Sequence, residues 1–146
     1  MIDRIDKDVK TAMKSGDAVR RDALRLVLSS LRDAEKEARR PLGDDEVRTV
    51  LRRELKRRRE AAKAFDDAGH ADRAEAEQFE AELIEAYLPA QLPDEDLDTI
   101  VESAVAKVGA KGPADMGQVM REAMALAAGR ADGKRVQERV RARLAQ

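Results

Sequence analysis

Side chains able to make or break bonds are sparse in this chain. It has no cysteine, one histidine and four serines. Disulfides, zinc–thiolate sites and thiol nucleophiles are therefore excluded, and no nucleophile–base pair suggests itself for covalent catalysis. His70 follows Gly69 between two helical patterns and reads as an exposed turn residue. The acidic pairs Asp44-Asp45, Asp66-Asp67 and Asp94 with Asp96 fall mostly at helix ends, where capping and the helix dipole account for Asp44 and Asp94 without metal or proton-transfer chemistry. Gly129-Arg130-Ala131-Asp132-Gly133-Lys134 has a glycine before a lysine but lacks the spacing and the following Ser/Thr of a phosphate-binding loop. On the residues alone, no catalytic, metal or cofactor site is expected.

What remains is cationic chemistry. A net charge of −1 conceals a strong segregation: residues 1–63 carry 19 basic and 13 acidic side chains, residues 64–98 one basic and 12 acidic, and residues 99–146 nine basic and five acidic. A uniform polyanion-binding coat is excluded by this pattern, whereas a localised basic face is not. Arg52-Arg53-Glu54-Leu55-Lys56-Arg57-Arg58-Arg59 is the densest basic cluster. At helical spacing Arg48, Arg52, Lys56, Arg59 and Lys63 share one stripe, the way a helix presents charge to phosphates. The acidic run Glu75 to Glu85 supplies enough opposite charge to neutralise this stripe from an antiparallel neighbour. Near the C-terminus the basic residues flank two glycine-containing turns, whose backbone N–H groups could hold phosphates.

The elements that position these residues are all helical. Charged residues make up 40% of the chain and aromatic residues 2%; Ala, Glu, Arg and Leu, all good helix formers, dominate. A core built from this composition is aliphatic. Ile2, Ile5, Val9, Ala12 and Met13 mark a first helix, and Leu24, Val27, Leu28, Leu31 and Ala34 a second with Asp17 as its cap. Val47, Val50, Leu51, Leu55, Ala62 and Phe65 mark a third. A fourth is expected to bury Ala76, Phe79, Leu83, Ile84, Tyr87 and Leu88. Pro89 and Pro93 forbid a continuous helix and mark the boundary between a bundle over 1–90 and a smaller unit over 91–146. In the latter, Leu97 to Val108, Val119 to Met124 and Val136 to Leu144 predict three short helices, with Asp115 and Asp132 as caps. No apolar run approaches the ~20 residues of a membrane span, and Met1-Ile2-Asp3-Arg4 lacks the apolar stretch of a signal peptide. A cytoplasmic protein is expected.

Several blocks resemble the YqeY family: Glu54-Leu55-Lys56-Arg57-Arg58 through Ala64-Phe65 and Ala68-Gly69, Tyr87-Leu88-Pro89-Ala90-Gln91-Leu92, Ala114-Asp115-Met116-Gly117-Gln118-Val119-Met120, and Gly129-Arg130-Ala131-Asp132-Gly133-Lys134-Arg135-Val136. The resemblance covers essentially the whole chain; it departs at Pro93, where a capping Ser is frequent, and at His70, where Arg is common. It implies an all-α protein, a four-helix bundle followed by a three-helix bundle. The C-terminal part is similar to the tail domain found on one component of the glutamine-dependent aspartyl/glutamyl-tRNA amidotransferase, and to a module appended to some glutaminyl-tRNA synthetases, where it helps hold tRNA. The implied role is a stand-alone tRNA-associated translation accessory acting beside such an amidotransferase or aminoacyl-tRNA synthetase. Arg130, Lys134 and Arg135 are then expected to meet phosphates, with Lys111 and Arg121 on the same face. One alternative is a protein–protein adaptor that uses the charged first bundle and needs no RNA. The other follows from the carbon–nitrogen ligase activity, with glutamine as amido-N-donor, often given to free-standing members; the residues an amidotransferase or a kinase needs are missing here.

Overall fold

A computed structural model describes every residue from Met1 to Gln146. Seven α-helices and no strand form the chain: α1 (Ile2–Ser15), α2 (Ala18–Ala38), α3 (Asp44–Asp67), α4 (Ala71–Glu85), α5 (Asp94–Val108), α6 (Met116–Ala127) and α7 (Gly133–Leu144), with one 3-10 turn at Pro113–Asp115. The all-α expectation holds. The chain divides into two compact units, Met1–Leu88 and Pro89–Gln146, each with its own apolar cluster.

Helix ends follow from local chemistry. Gly16 closes α1 at φ 75, a left-handed conformation that costs glycine little. The Asp17 carboxylate accepts from the Arg20 N–H at 3.1 Å and opens α2. Asp44 is the first residue of α3 rather than its cap. Gly43 takes the cap position, and Glu46 reaches back to the Gly43 N–H at 2.8 Å. Likewise Pro93 precedes α5, so Asp94 lies in the first turn, where the dipole favours a carboxylate.

The first unit buries Ile5, Leu24, Leu31, Leu51 and Ile84 almost completely. Each such side chain contributes about 1.5–3 kcal/mol on leaving water. The expected apolar face of α4 is realised in part: Leu83 and Ile84 are buried, as is Tyr87 beyond the helix end at Glu85, and Leu88 is half-buried, whereas Ala76 and Phe79 are exposed. Its buried residues are Ala81, Leu83 and Ile84, all in its C-terminal half. Pairing by charge supplies what the missing part of that face would have. Arg58 of α3 reaches Glu77 at 3.4 Å and Glu80 at 3.3 Å, and it also lies 3.8 Å from Glu54 of its own helix. Arg59 reaches Glu85 at 2.9 Å, and the Arg73 guanidinium sits 5.7 Å above the Phe65 ring. Glu54 occupies an apolar-stripe position, between Val50–Leu51 and Leu55, and is 6% exposed. A charge so placed persists only with partners, here Arg57 and Arg58.

Past the end of α4, Tyr87 is buried with its ring under Arg4 at 4.9 Å, and its hydroxyl bonds to Asp8. Burial first, and the Asp8 carboxylate second, push the Tyr87 hydroxyl's pKa well above its ordinary value, so it remains a donor. The return of the chain from α4 is therefore tied to α1.

The Arg58 arrangement predicts an asymmetric pair of outcomes. Arg58→Ala should destabilise the first unit by about 2–3 kcal/mol, because it strips a partner from the buried Glu54 carboxylate. Arg58→Ala combined with Glu54→Leu should recover much of that loss, since an apolar residue suits the stripe. Chemical denaturation of the three proteins checks this; equal losses in single and double variants contradict it.

Candidate functional site

The second unit is a triangle of three short helices. Leu97, Val101 and Ala104 from α5, Val119, Ala123 and Ala127 from α6, and Val136, Val140 and Leu144 from α7 meet at its centre with Ala131. The small alanines bring the helices close. The Leu92 N–H donates to the Arg130 carbonyl at 2.8 Å, which fastens the segment entering α5 to the α6–α7 turn. That turn passes through two consecutive left-handed residues, Ala128 at φ 49 and Gly129 at φ 79.

Ion pairs line both edges of α5. Toward α7, Arg135 meets Asp94 at 2.6 Å, Arg139 meets Asp94 at 2.8 Å and Asp98 at 3.1 Å, and Arg143 meets Glu102. Three acids and three arginines, each set at a spacing of four residues, form a ladder between two helices running the same way. Toward α6, Lys107 meets Glu122 at 2.6 Å. Single exposed pairs are worth about 0.2–1 kcal/mol, but a ladder of them fixes the register of α7 on α5. Hydrogen bonding from Arg135 first, then the charge of Arg139, holds the Asp94 carboxyl below the usual carboxylate range.

The cations of this unit therefore separate into two groups. Lys107, Arg135, Arg139 and Arg143 are paired; Lys111, Arg121, Arg130, Lys134 and Arg141 are exposed and have no acidic partner. Helical spacing shows where the second group lies. On α6, Glu122 marks the edge facing α5, and Arg121, one residue back, points about 100° away from it, toward the α7 flank. On α7, Lys134 and Arg141 are two turns apart on one face, about 100° round from Arg135 and on the side opposite the ladder. Lys111 precedes α6 and Arg130 precedes α7, at opposite ends of this antiparallel helix pair. Met116, Met120 and Met124, partly buried against the core, sit one turn apart along the same flank of α6. Glu138 is the acid on the outer face of α7 that remains without a partner.

Of the five residues expected to meet phosphates, Lys111, Arg121, Arg130 and Lys134 are exposed cations without an acidic partner, whereas Arg135 faces α5 and holds Asp94. The sequence signal for that difference is the matched 94/98/102 and 135/139/143 spacing. Arg141, absent from the expected set, belongs with the free cations because it follows Lys134 by seven residues. The two glycine turns differ from expectation as well. The Asp115 carboxylate takes the Lys111 N–H at 2.8 Å and the Gly112 N–H at 3.3 Å, and Asp132 takes the Arg135 N–H at 2.9 Å. Carboxylates of the chain itself occupy those three donors, which leaves the Gly133 and Lys134 N–H groups in the first turn of α7 beside the side chains.

Elsewhere the basic stripe of α3 is partly neutralised, as expected, though the contacts to α4 run through Arg58 and Arg59. Arg48 pairs instead with Asp45 of its own helix, and Lys56 lies 4.0 Å from Glu60. A cleft of about 460 Å³ between α3 and α4 is lined by Arg59, Lys63, Asp66, Glu75 and Gln78 among others, with charges of both signs. His70 sits in the α3–α4 turn, its ring edge-on to Phe65 at 6.4 Å. No group of three or more His, Asp or Glu residues is placed to hold a metal ion, and no helix is long and apolar enough to cross a membrane.

A family model described as Yqey-like protein matches residues 2–144. No curated protein matches the chain.

The ladder makes a prediction about Asp94. Because its folded pKa lies below the ordinary value, the stability it contributes is present above that value and is lost as pH falls through the lowered folded one. Arg135→Ala should raise the Asp94 midpoint toward the ordinary range and make the second unit melt at a higher pH on acidification. Carboxyl titration by NMR reads the first effect and circular dichroism the second. An unchanged Asp94 midpoint contradicts the pairing.

Proposed function

We propose that the chain, which belongs to the YqeY-like family, is a binding module that holds tRNA through the α6–α7 face of its second unit, beside an amidotransferase or aminoacyl-tRNA synthetase that does the chemistry. The observation carrying this reading is the sorting of cations: every basic residue on the two α5 seams is paired, while Lys111, Arg121, Arg130, Lys134 and Arg141 are left exposed and without an acidic partner. Unpaired cations release counterions when they meet phosphates, which yields affinity with little sequence information. Arg135 takes part only by giving up Asp94, so it contributes less than its position in the sequence suggests. A cytoplasmic setting accords with this role.

A second reading, a protein–protein adaptor, draws on the first unit. A groove of about 350 Å³ between α2 and α3 is lined by Ala34, Leu42 and Val50 with Glu37, Glu46 and Arg53. Val19 and Leu26, seven residues apart on α2, are 67% and 52% exposed. Binding through Val19, Leu26 and the apolar part of that groove would depend less on salt than phosphate binding does.

Arg121→Ala, Lys134→Ala and Arg141→Ala together should weaken tRNA binding and lower the log–log salt slope by about 0.7–0.9 per lost phosphate contact. The fold should survive, since none of the three holds a partner. Arg135→Ala, Arg139→Ala and Arg143→Ala should instead lower the melting temperature, with a smaller change in slope. Fluorescence anisotropy across a salt series checks both. A wild-type protein without salt-sensitive affinity for tRNA rejects this reading and leaves the adaptor.

A further inference from the structure

We infer that the α6–α7 face takes base-paired, helical RNA and discriminates against unpaired strands. This rests on the reading above, that the face binds tRNA, and it narrows which part of an RNA the face engages.

Unpaired RNA is held by stacking its exposed bases on flat side chains and by hydrogen bonds to base edges. The second unit has no means for the first. Residues 89–146 contain no Phe, Tyr, Trp or His, so no aromatic platform exists. The guanidinium groups of Arg121, Arg130 and Arg141 are the planar groups left, and phosphates require them. Of the backbone donors at the two glycine turns, the Lys111, Gly112 and Arg135 N–H groups are taken by Asp115 and Asp132, which leaves Gly133 and Lys134 at the start of α7. The apolar strip between the cations consists of Met116, Met120 and Met124, whose thioethers are at most weak acceptors.

The face does have means for a preformed helix. Three of its cations, Arg121, Lys134 and Arg141, sit on two packed helices, and Lys111 and Arg130 stand in the turns that lead into them. Lys134 and Arg141 are separated by about 10 Å along α7, and Lys111 and Arg130 stand at opposite ends of the α6–α7 pair. A rigid array of charges meets a rigid array of phosphates without ordering the ligand. A flexible strand would lose conformational entropy on binding and gain no stacking in return. Double-stranded RNA is recognised in this way elsewhere, by shape and by phosphate and ribose contacts.

The test uses the full chain with three probes of matched label: intact tRNA, a perfectly paired RNA hairpin of about one helical turn, and an unstructured U-rich strand of the same nucleotide count. Anisotropy at one fixed salt concentration is expected to place the hairpin near tRNA and the U-rich strand at least about tenfold weaker, since the strand presents phosphates at lower density and loses conformational freedom on binding without stacking in return. Hairpins of scrambled sequence should bind alike. The variant with Lys111, Arg121, Arg130, Lys134 and Arg141 all changed to Ala should lose affinity for the hairpin, with its helical circular dichroism retained. A U-rich strand that binds as tightly as the hairpin, or a hairpin preference that depends on sequence, overturns the inference while tRNA binding itself stands. Failure of all three probes removes the tRNA reading, and this inference goes with it.

Discussion

Pairing of charge across helix seams is the interaction on which the rest of this protein depends. With two Phe, one Tyr and no Trp in 146 residues, the cores are aliphatic and thin. Small aliphatic side chains hold helices together but specify rotation and register weakly. Arg58 against Glu77 and Glu80 in the first unit, and the Arg135–Arg139–Arg143 ladder against Asp94, Asp98 and Glu102 in the second, supply that specification. Each pair is modest by itself, and its contribution weakens as salt rises. Together they decide which side chains are consumed in holding the fold.

That consumption also shapes the surface left to solvent. A chain with 29 basic residues offers cationic stripes in several places, and some of these residues are taken up by acidic partners across helix seams. The α3 stripe is drawn toward α4, and the inner face of α7 is drawn onto α5. The α6–α7 side stays cationic because its neighbours supply few carboxylates: Glu122 is held by Lys107, Asp115 and Asp132 are held by backbone N–H groups, and only Glu138 is left over. Structure and binding compete for the same residue types, and the seams are served first.

Glu46 shows the same logic at a helix end. The Arg40 guanidinium, and then the Gly43 N–H, bring its carboxyl pKa down to about 2. One carboxylate therefore closes the α2–α3 turn and caps α3 together. The Glu80 carboxyl moves the other way, its pKa raised chiefly by burial, an effect that the Arg58 charge offsets in part. Carboxylates of one type thus carry opposite shifts within one bundle, according to whether partners or burial dominate.

Much of the architecture is legible in the sequence. Apolar spacing marks the seven helices, and Asp17 and Asp132 are recognisable caps because a cap is a local event, decided within three residues. The first helical turns holding Asp44 and Asp94 are legible too, although Gly43 and Pro93 take the cap positions themselves. The fourth helix departs from its pattern at Ala76 and Phe79, where apolar residues at helical spacing face no core. In the fold that stretch of α4 is held by Arg58 and Arg73, contacts that join distant parts of the chain. The candidate face is legible as a basic C-terminal region, with Lys111, Arg121, Arg130 and Lys134 all exposed as expected. The sequence by itself determined the helices, their ends, the aliphatic core and the supply of charge, because each follows from neighbours within a turn or two. Which cations stay free was decided only by tertiary structure. The pairing of Arg135 with Asp94, 41 residues away, depends on α5 and α7 lying side by side in one register, and Coulomb attraction acts over distances in space that the order of residues does not record.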